Sequence, residues 1–233
     1  MTTSSPTTVD YTSRSADQGD INPDWDLLTS ALASDALDSL GYRNQCLSHD
    51  IRPLALTDRV VGRAYTALAV PAPDVTPARP YEGLLEALDT VAPGAVFVFN
   101  TQRSDAAGVW GELVTTACVA GGVAGALTDG LIRDVTRVLD LEFPVFSRGA
   151  TPYDSKGRVD VIEHGKPMMM DGVLISTGDV VVGDADGVCI IPRAVESDVI
   201  DLVRTKREGE GEFRQAVKHG MRVTDAFRKF GIL

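Results

Sequence analysis

Three charged side chains in the middle of the chain have the types and the spacing of a small chemical site. Glu112 is followed, after twenty residues, by the adjacent pair Arg133 and Asp134. Carboxylates bind hard divalent cations, and a planar guanidinium pairs well with the carboxylate of an anionic substrate. If the fold brings the three side chains together, they can hold a cation and an anion side by side.

The elements around these residues must position them. The apolar pattern predicts helices over 109–120 and 133–140, and strands over 95–100, 123–128 and 143–147. The strand at 95–100 is apolar throughout, which is typical of a parallel strand covered on both faces. Because helix and strand alternate through the centre, the pattern favours an α/β sheet.

The flanking segments extend this pattern on both sides. The predicted elements are, in order, a helix starting at Pro23, a helix over 33–41, a strand over 59–70, a proline-rich loop over 71–80, a helix over 81–91, an all-β section over 158–191, a charged helix over 194–217 and a short helix over 223–233. We expect residues 1–22 to form a disordered tail, residues 23–220 a single domain and residues 221–233 a C-terminal tail.

Composition excludes several classes of function. The formal charge of −11, without a cluster of Lys and Arg, disfavours nucleic acid as a partner. No apolar run approaches the roughly 18–20 residues that a membrane span needs, so no membrane association is expected. The three cysteines, Cys46, Cys118 and Cys189, are too far apart in the chain for a structural zinc motif. Cys118 and Cys189 lie in apolar runs and are predicted to be buried thiols, which fits a reducing cytoplasm.

The segment from Glu112 to Asp134 resembles the RraA-like family, which includes the class II 4-hydroxy-4-methyl-2-oxoglutarate / 4-carboxy-4-hydroxy-2-oxoadipate aldolases. The family motif is an acid, twenty residues and then Arg-Asp. Similar segments in the same order are Ser34-Asp35-Ala36-Leu37, Ile51-Arg52-Pro53, Val61-Gly62-Arg63-Ala64, Phe143-Pro144-Val145-Phe146 and the run from Gly183 to Val188. The resemblance covers roughly residues 25–220. It implies a single swivelling β/β/α domain, similar to phosphohistidine domains, that assembles as a homotrimer or hexamer.

The resemblance also implies a metal site. Asp134 is expected to bind Mg²⁺ or Mn²⁺, and Glu112 to bind the same ion through a water molecule. The well-described aldolases carry Asp where this chain has Glu112, which is one methylene longer.

A substrate site is implied beside the metal. Arg133 is expected to face the keto oxygen and the carboxylate of a 2-oxo acid, where a permanent charge stabilises an enolate. The N–H groups of Leu113 and Val114 begin a helix and are expected to bind the pyruvyl carboxylate, with Gly111 allowing close approach.

A neighbouring subunit supplies a further carboxylate in the family's aldolases. The candidates here are Glu208, Glu210 and Glu212, which alternate with Gly209 and Gly211. Each glycine weakens a helix by roughly 1 kcal/mol, so a flexible lid is one expectation for this segment.

Each assignment has a structural alternative that the sequence leaves open. The alternatives are Asp134 as a cap of the following helix, Arg133 as a surface ion pair, Glu112 as an ordinary first-turn acid, Trp110 as core packing rather than a pocket wall, and the three glutamates as a solvated helix face. Asp129 and the pair Asp184 and Asp186 stand beside glycines and are expected to shape tight turns.

The function predicted from the resemblance is a divalent-metal-dependent lyase. It would cleave a small-molecule 4-hydroxy-2-oxo acid to pyruvate through an enolate, with oxaloacetate decarboxylation as a side activity of the same site. One alternative is a non-catalytic, protein-binding regulator of a ribonuclease, a role described for founding members of the family. Another alternative is a different metal-dependent lyase or hydratase acting on a 2-oxo acid.

Overall fold

A computed structural model describes residues 22–232 of the chain. Its helices are α1 (Ser30–Ser39), α2 (Glu82–Thr90), α3 (Glu112–Ala120), α4 (Val135–Asp140), α5 (Glu196–Lys218) and α6 (Val223–Phe230), with 3-10 turns at Pro23–Leu27 and Arg193–Val195. Its strands are β1 (Arg52–Pro53), β2 (Val60–Pro71), β3 (Ala95–Asn100), β4 (Gly108–Trp110), β5 (Gly125–Thr128), β6 (Leu131–Ile132), β7 (Val145–Ser147), β8 (Val159–His164), β9 (Met168–Met170), β10 (Val173–Ile175), β11 (Val180–Asp184) and β12 (Gly187–Ile191).

The main sheet of residues 22–232 has eight strands. Seven lie in the order β1-β7-β5-β3-β2-β11-β12, and β8 also pairs with β2. The central pairs β2–β3, β3–β5 and β5–β7 are parallel, whereas β11 pairs antiparallel with both β2 and β12. Just before β1, Cys46 forms an antiparallel bridge with Cys189 of β12. The two edges therefore meet, and the sheet is nearly closed into a barrel.

Strand β3 shows why this sheet forms. All six of its residues are buried, because it lies between two parallel neighbours and is covered on both faces. Phe97 packs in the cluster beneath α2 and α3, whereas Val98 belongs to the cluster on the opposite face with Phe146. A third cluster joins α1 and α5 to β11 and β12. This mixed α/β domain confirms the predicted fold class.

Two predicted helices begin later than expected. The helix over 109–120 begins at Glu112, because Val109 and Trp110 form β4 and pair with β6. The helix over 133–140 begins at Val135, because Asp134 has a left-handed φ of 57° that ends the preceding extended segment.

The segment over residues 208–212 is helical, which differs from the expected flexible lid. Helix α5 continues without a break through Gly209 and Gly211, so the expectation of a flexible lid is wrong. Packing overrides the weak helix propensity, because the Ile232 side chain lies directly against Gly209. Helix α6 folds back towards α5 and buries Ala226 completely.

The remaining predictions about the ends of the chain stay predictions. Of the expected tail over 1–22, all but Asn22 lies outside the described residues, and Asn22 caps the turn that begins at Pro23. The proposed boundary at 220–221 falls between α5 and α6. None of the helices in residues 22–232 combines the length and the apolar character needed to cross a lipid bilayer.

Candidate active site

A two-stranded parallel pairing brings the distant parts of the motif together. Strands β4 and β6 pair with Trp110 opposite Ile132, and the N–H of Arg133 donates to the Trp110 carbonyl at 2.8 Å. The residues that follow the two strands are therefore neighbours in space. The intervening helix α3 and strand β5 account for the twenty residues between Glu112 and Arg133.

Asp134 occupies the N-cap position of α4, but its side chain does not cap that helix. Its carboxylate makes no capping hydrogen bond to α4 and instead points to the start of α3, where the N–H of Glu112 lies 3.4 Å from Oδ2. Its side chain is 42 % exposed. The cap alternative therefore holds for the backbone position but not for the side chain, and the carboxylate is open towards solvent.

Gly111 is required by the closeness of this approach. Its φ of −166° is ordinary extended backbone, so conformational freedom is not the reason for a glycine. A Cβ atom at this position would lie 2.8 Å from Oδ2 of Asp134 and 3.1 Å from Cγ of Arg133. Any larger residue would push the two functional side chains away from α3.

Arg133 is held between two carboxylates. Its Nε lies 3.4 Å from Oδ2 of Asp134, and its Nη1 lies 3.0 Å from Oδ1 of Asp154. The ion-pair alternative thus describes part of its environment. The Arg133 side chain nevertheless remains 35 % exposed, and the other N–H donors of its guanidinium can reach a bound anion.

Asp154 and Tyr81 were missed by the sequence reasoning. The Tyr81 hydroxyl donates to Oδ2 of Asp154 at 2.8 Å, and Tyr81 itself has a left-handed φ of 65° just before α2. Asp154 lies in the loop after β7 and reaches the site because it bridges Gly108 of β4. The sequence of the loop does not predict this contact, because it depends on the bridge between Asp154 and the distant residue Gly108.

Electrostatics fixes the charge states of this pair. Burial opposes ionisation of Asp154, but the Tyr81 hydroxyl and the Arg133 charge outweigh it and lower the pKa of the carboxyl. The pKa of Tyr81 is raised, first by burial and then by the hydrogen bond and the charge of Asp154. Asp154 is therefore an anion and Tyr81 a neutral donor at neutral pH.

Arg133 and Asp134 line two neighbouring clefts. One, of about 360 Å³, is bounded by Val135 and by the segment 150–152. The other, of about 290 Å³, contains Gly111, Asp154 and Tyr81. Its wall is apolar and includes Leu84, Leu85, Leu88, Leu113, Val114 and Ala117. The first turn of α3 lies at this cleft. The backbone N–H groups of that turn have no acceptor within the helix.

Two residues at the start of α3 have partly structural roles. Glu112 accepts a hydrogen bond from the Thr116 hydroxyl at 3.1 Å, as a first-turn acid can, and it borders neither cleft. Trp110 is 1 % exposed, donates to the Thr115 hydroxyl at 2.8 Å and stacks on Phe143, so it is core packing. Trp110 also forms part of the second cleft, so both interpretations of this residue hold.

The three candidate glutamates of α5 lie apart from Arg133 within one chain. Glu208, Glu210 and Glu212 border neither of the two clefts, and Glu210 pairs with Arg214 on its own helix at 3.6 Å. Their entry into a neighbouring copy's site stays a prediction.

The donors fit a loosely held divalent cation rather than a protein cage. Within residues 22–232 no group of three or more His, Cys, Asp or Glu side chains is arranged to hold a metal ion. Mg²⁺ is commonly bound by one or two carboxylates while it keeps several water molecules. The exposed carboxylate of Asp134 beside the cleft suits that mode. The Glu112 backbone N–H is adjacent to it, whereas the Glu112 carboxylate is turned along α3 towards Thr116.

Comparison with known proteins decides the family. The family model for RraA-like proteins, described as Aldolase/RraA, matches residues 30–190. The chain belongs to the RraA-like family. A relative from Halalkalibacterium halodurans, provisionally named a 4-hydroxy-4-methyl-2-oxoglutarate aldolase, is 32 % identical over 198 residues, which cover 83 % of this chain and 87 % of the relative.

Solved structures of RraA-like proteins have the same fold. Streptomyces coelicolor RraAS2, described as an unusual member of the RNase ES inhibitor RraA protein family, is 30 % identical with a TM-score of 0.77, covering 82 % of this chain and 95 % of that one. A protein from Pseudomonas syringae is 28 % identical with a TM-score of 0.79, covering 88 % and 92 % of the two chains. The RraA-like family thus contains relatives named for catalysis and relatives named for inhibition.

Proposed function

We propose that this RraA-like protein is a cytoplasmic, metal-dependent carbon–carbon lyase that cleaves a 4-hydroxy-2-oxo acid to pyruvate. The observation that carries the proposal is the placement of Arg133 and Asp134 side by side against the first turn of α3, at the rim of a cleft. A cation, an anion and free N–H donors in one place suit a substrate with adjacent carboxylate and keto oxygens. The name of the Halalkalibacterium relative supports the same class of reaction.

The substrate's pyruvyl end is bound by the protein's own donors. The N–H groups of Leu113 and Val114 receive the carboxylate, and Gly111 leaves room for it. Arg133 donates to the keto oxygen, while Asp154 and Tyr81 keep the guanidinium in place. Asp134, with Glu112 acting through water, would hold Mg²⁺ or Mn²⁺, which supplies a second positive charge next to the keto oxygen.

Bond cleavage then follows from where charge can accumulate. A base removes the proton from the 4-hydroxyl, whose oxygen becomes the carbonyl oxygen of the second product as the C3–C4 bond breaks. The electron pair of that bond passes into a pyruvate enolate. Arg133 stabilises the negative charge that develops on the enolate oxygen. Protonation at C3 releases pyruvate. Loss of carbon dioxide from oxaloacetate generates the same enolate, so decarboxylation is expected at the same site.

The source of the base links catalysis to assembly. A water molecule positioned by Glu112 is one candidate, and a glutamate among residues 208–212 of a second copy is another, as a homotrimer or hexamer would allow. Mixing an Asp134→Asn variant with a variant carrying Gln at 208, 210 and 212 separates these choices. Recovery of activity in mixed oligomers supports a shared site, whereas two inactive parents that stay inactive argue against it.

The proposal is tested by pyruvate release from oxaloacetate and from 4-hydroxy-4-methyl-2-oxoglutarate, with Mg²⁺ and with a chelator. We expect Arg133→Ala and Asp134→Asn each to lower kcat/KM by about 100-fold or more, because each removes charge stabilisation from the transition state. Arg137→Ala is the matched control, since Arg137 is an exposed arginine on α4 outside the clefts. Full activity in both site variants would overturn the proposal.

A second candidate function is protein binding without catalysis. The 30 % identity to RraAS2 and the formal charge of −11 favour it, since an acidic surface suits a basic partner. Absence of turnover with either substrate, together with binding to an RNase E-type protein that does not need Asp134, would favour this function over the lyase.

A further inference from the structure

Two of the three cysteines face each other across the seam of the sheet. Cys46 and Cys189 form an antiparallel bridge, flanked by hydrogen bonds from Leu47 N to Val188 O at 2.9 Å and from Ile190 N to Gln45 O at 2.8 Å. This pattern makes them a non-hydrogen-bonded pair, whose Cα atoms are typically about 4.5 Å apart with the side chains close together. That spacing lies within the roughly 4.4–6.8 Å range of disulfides.

The two thiols have different environments. Cys46 is exposed to solvent, whereas Cys189 is fully buried between β11 and the helices α1 and α5. A peroxide can therefore reach Cys46 directly, and Cys189 only through Cys46.

The contact between the Cys46 and Cys189 side chains shifts the pKa values of the two thiols in opposite directions. The hydrogen bond from Cys189 lowers the pKa of Cys46 to about 6, with help from Ser34 and against burial and the charge of Asp38. The pKa of Cys189 is raised, first by its hydrogen bond to Cys46 and then by burial, with Asp184 adding to the effect. The thiolate is the nucleophile in thiol chemistry, so the exposed member is the reactive one.

Cys118 provides the contrast within the same molecule. It is 1 % exposed, and burial raises its pKa to about 12. It belongs to the cluster beneath α2 and α3, which contains neither Cys46 nor Cys189. This thiol is expected to be inert.

We propose that Cys46 and Cys189 form a peroxide-sensitive pair, in which Cys46 is oxidised first and Cys189 then closes a cross-strand disulfide. The Cys46 thiolate attacks one oxygen of a hydroperoxide, the O–O bond breaks, and a sulfenic acid and hydroxide (or alkoxide) result. The sulfur of Cys189 displaces the sulfenic oxygen, loses its proton and forms the S–S bond with release of water. With hydrogen peroxide, two thiols and one peroxide yield one disulfide and two waters.

The consequence is mechanical. The disulfide would tie the segment before β1 covalently to β12, where the two edges of the sheet meet. Because it joins residues that are far apart in the chain, it restricts the unfolded state and stabilises the native one. A thiol reductant would reverse the effect.

The test oxidises the full-length protein with equimolar hydrogen peroxide, alkylates free thiols under denaturing conditions and maps peptides by mass spectrometry. We expect a peptide cross-linked through Cys46 and Cys189 that dithiothreitol releases, and Cys118 in alkylated form. Thermal unfolding should shift upward by about 5 °C or more on oxidation of the wild type and not of Cys46→Ser. Cys118→Ala is the matched control that keeps the cross-link.

Dimedone, which traps sulfenic acids, separates the two steps. In Cys189→Ala the Cys46 adduct should accumulate, whereas in the wild type it should stay low because Cys189 consumes it. Equal dimedone labelling of Cys46 in both proteins, or peroxide-treated wild type without the cross-link, would overturn the proposal. The surface variant Cys46→Ser gives an independent check if Cys189→Ala does not fold.

Discussion

Asp129 and Asp134 lie five residues apart, yet the fold gives their carboxylates opposite environments. Asp129 is 1 % exposed and accepts hydrogen bonds from the Thr101 N–H at 2.6 Å, the Thr101 hydroxyl at 2.9 Å and the Arg103 N–H at 2.9 Å. Asp134 is 42 % exposed, and its nearest donors lie at 3.4 Å. The protein satisfies the first carboxylate fully and leaves the second one open.

This difference distinguishes aspartates that hold the fold together from aspartates that can bind a ligand. A buried carboxylate that already accepts three hydrogen bonds is closed to a ligand from solvent, whereas an exposed one beside a guanidinium can bind one. Asp184 follows the structural pattern, because it accepts from the N–H and the hydroxyl of Ser30 and from the N–H of Asp186. The predicted turn role of Asp184 agrees with its contact to the N–H of Asp186. Asp129 has a structural role, but its carboxylate holds the loop at residues 101–103, whereas the turn beside Gly130 is held by the Thr128 hydroxyl, which accepts from the Gly130 N–H.

The largest expected effect on stability comes from removing the fully hydrogen-bonded carboxylate of Asp129. Asp129→Ala leaves the buried N–H and hydroxyl of Thr101 and the part-buried N–H of Arg103 without their acceptor, so the free energy of unfolding should fall by about 3–5 kcal/mol. Asp134→Asn should change it by less than about 1 kcal/mol, because the side chain is exposed and weakly bonded. Urea unfolding measures both, and equal losses in the two variants would contradict the comparison.

A smaller effect is expected from crowding the open carboxylate. Gly111→Ala places a Cβ atom against Asp134 and Arg133, and displacement of about 1 Å in such a site costs about 100-fold in kcat/KM. The control is Gly211→Ala on α5, where nothing lies within 4 Å of the added atom. Gly211→Ala should keep full activity and raise stability by up to about 1 kcal/mol. Wild-type pyruvate release from Gly111→Ala would show that the close approach is unimportant.

The smallest effect concerns the support of Arg133. Tyr81→Phe removes the 2.8 Å hydrogen bond to Asp154, so the lowered pKa of that carboxyl should rise towards its ordinary value of 3.8. A lowered folded pKa stabilises the fold above pH 3.8, and this stabilisation is lost as the pH falls through the folded value. The variant should therefore lose this contribution at a higher pH than the wild type. NMR titration of the aspartate carboxyl carbons checks the shift, and an unchanged Asp154 titration would contradict it.

Local sequence was sufficient for the elements that local patterns define. Strand β3 has the predicted bounds of 95–100, and the helix predicted over 81–91 is present as α2. Strand β4 was hidden because only Gly111 separates Val109 and Trp110 from α3, so the pattern predicted one helix over 109–120. Only its pairing with β6, more than twenty residues away, distinguishes the strand from the helix.

The candidate site likewise contains residues that the sequence predicts and residues that only the folded structure shows. Glu112, Arg133 and Asp134 were predicted as site residues because a family motif preserves their spacing in the chain. Asp154 and Tyr81 were not, because their contact with Arg133 depends on two loops that meet only in the folded molecule. Orientation was beyond the sequence as well, since nothing in it shows that the Glu112 side chain turns along its helix towards Thr116.

The left-handed backbone at Asp134 limits how this position can diverge in evolution. A φ of 57° is tolerated by Asp, Asn and Gly and costs most other residues about 1–2 kcal/mol. A lineage that abandons the chemistry while keeping the fold would therefore drift most easily to Asn or Gly here. The adjacent Arg133 has no such backbone restriction and could change more freely. Asn or Gly at this position would keep the backbone conformation, but neither would supply a carboxylate.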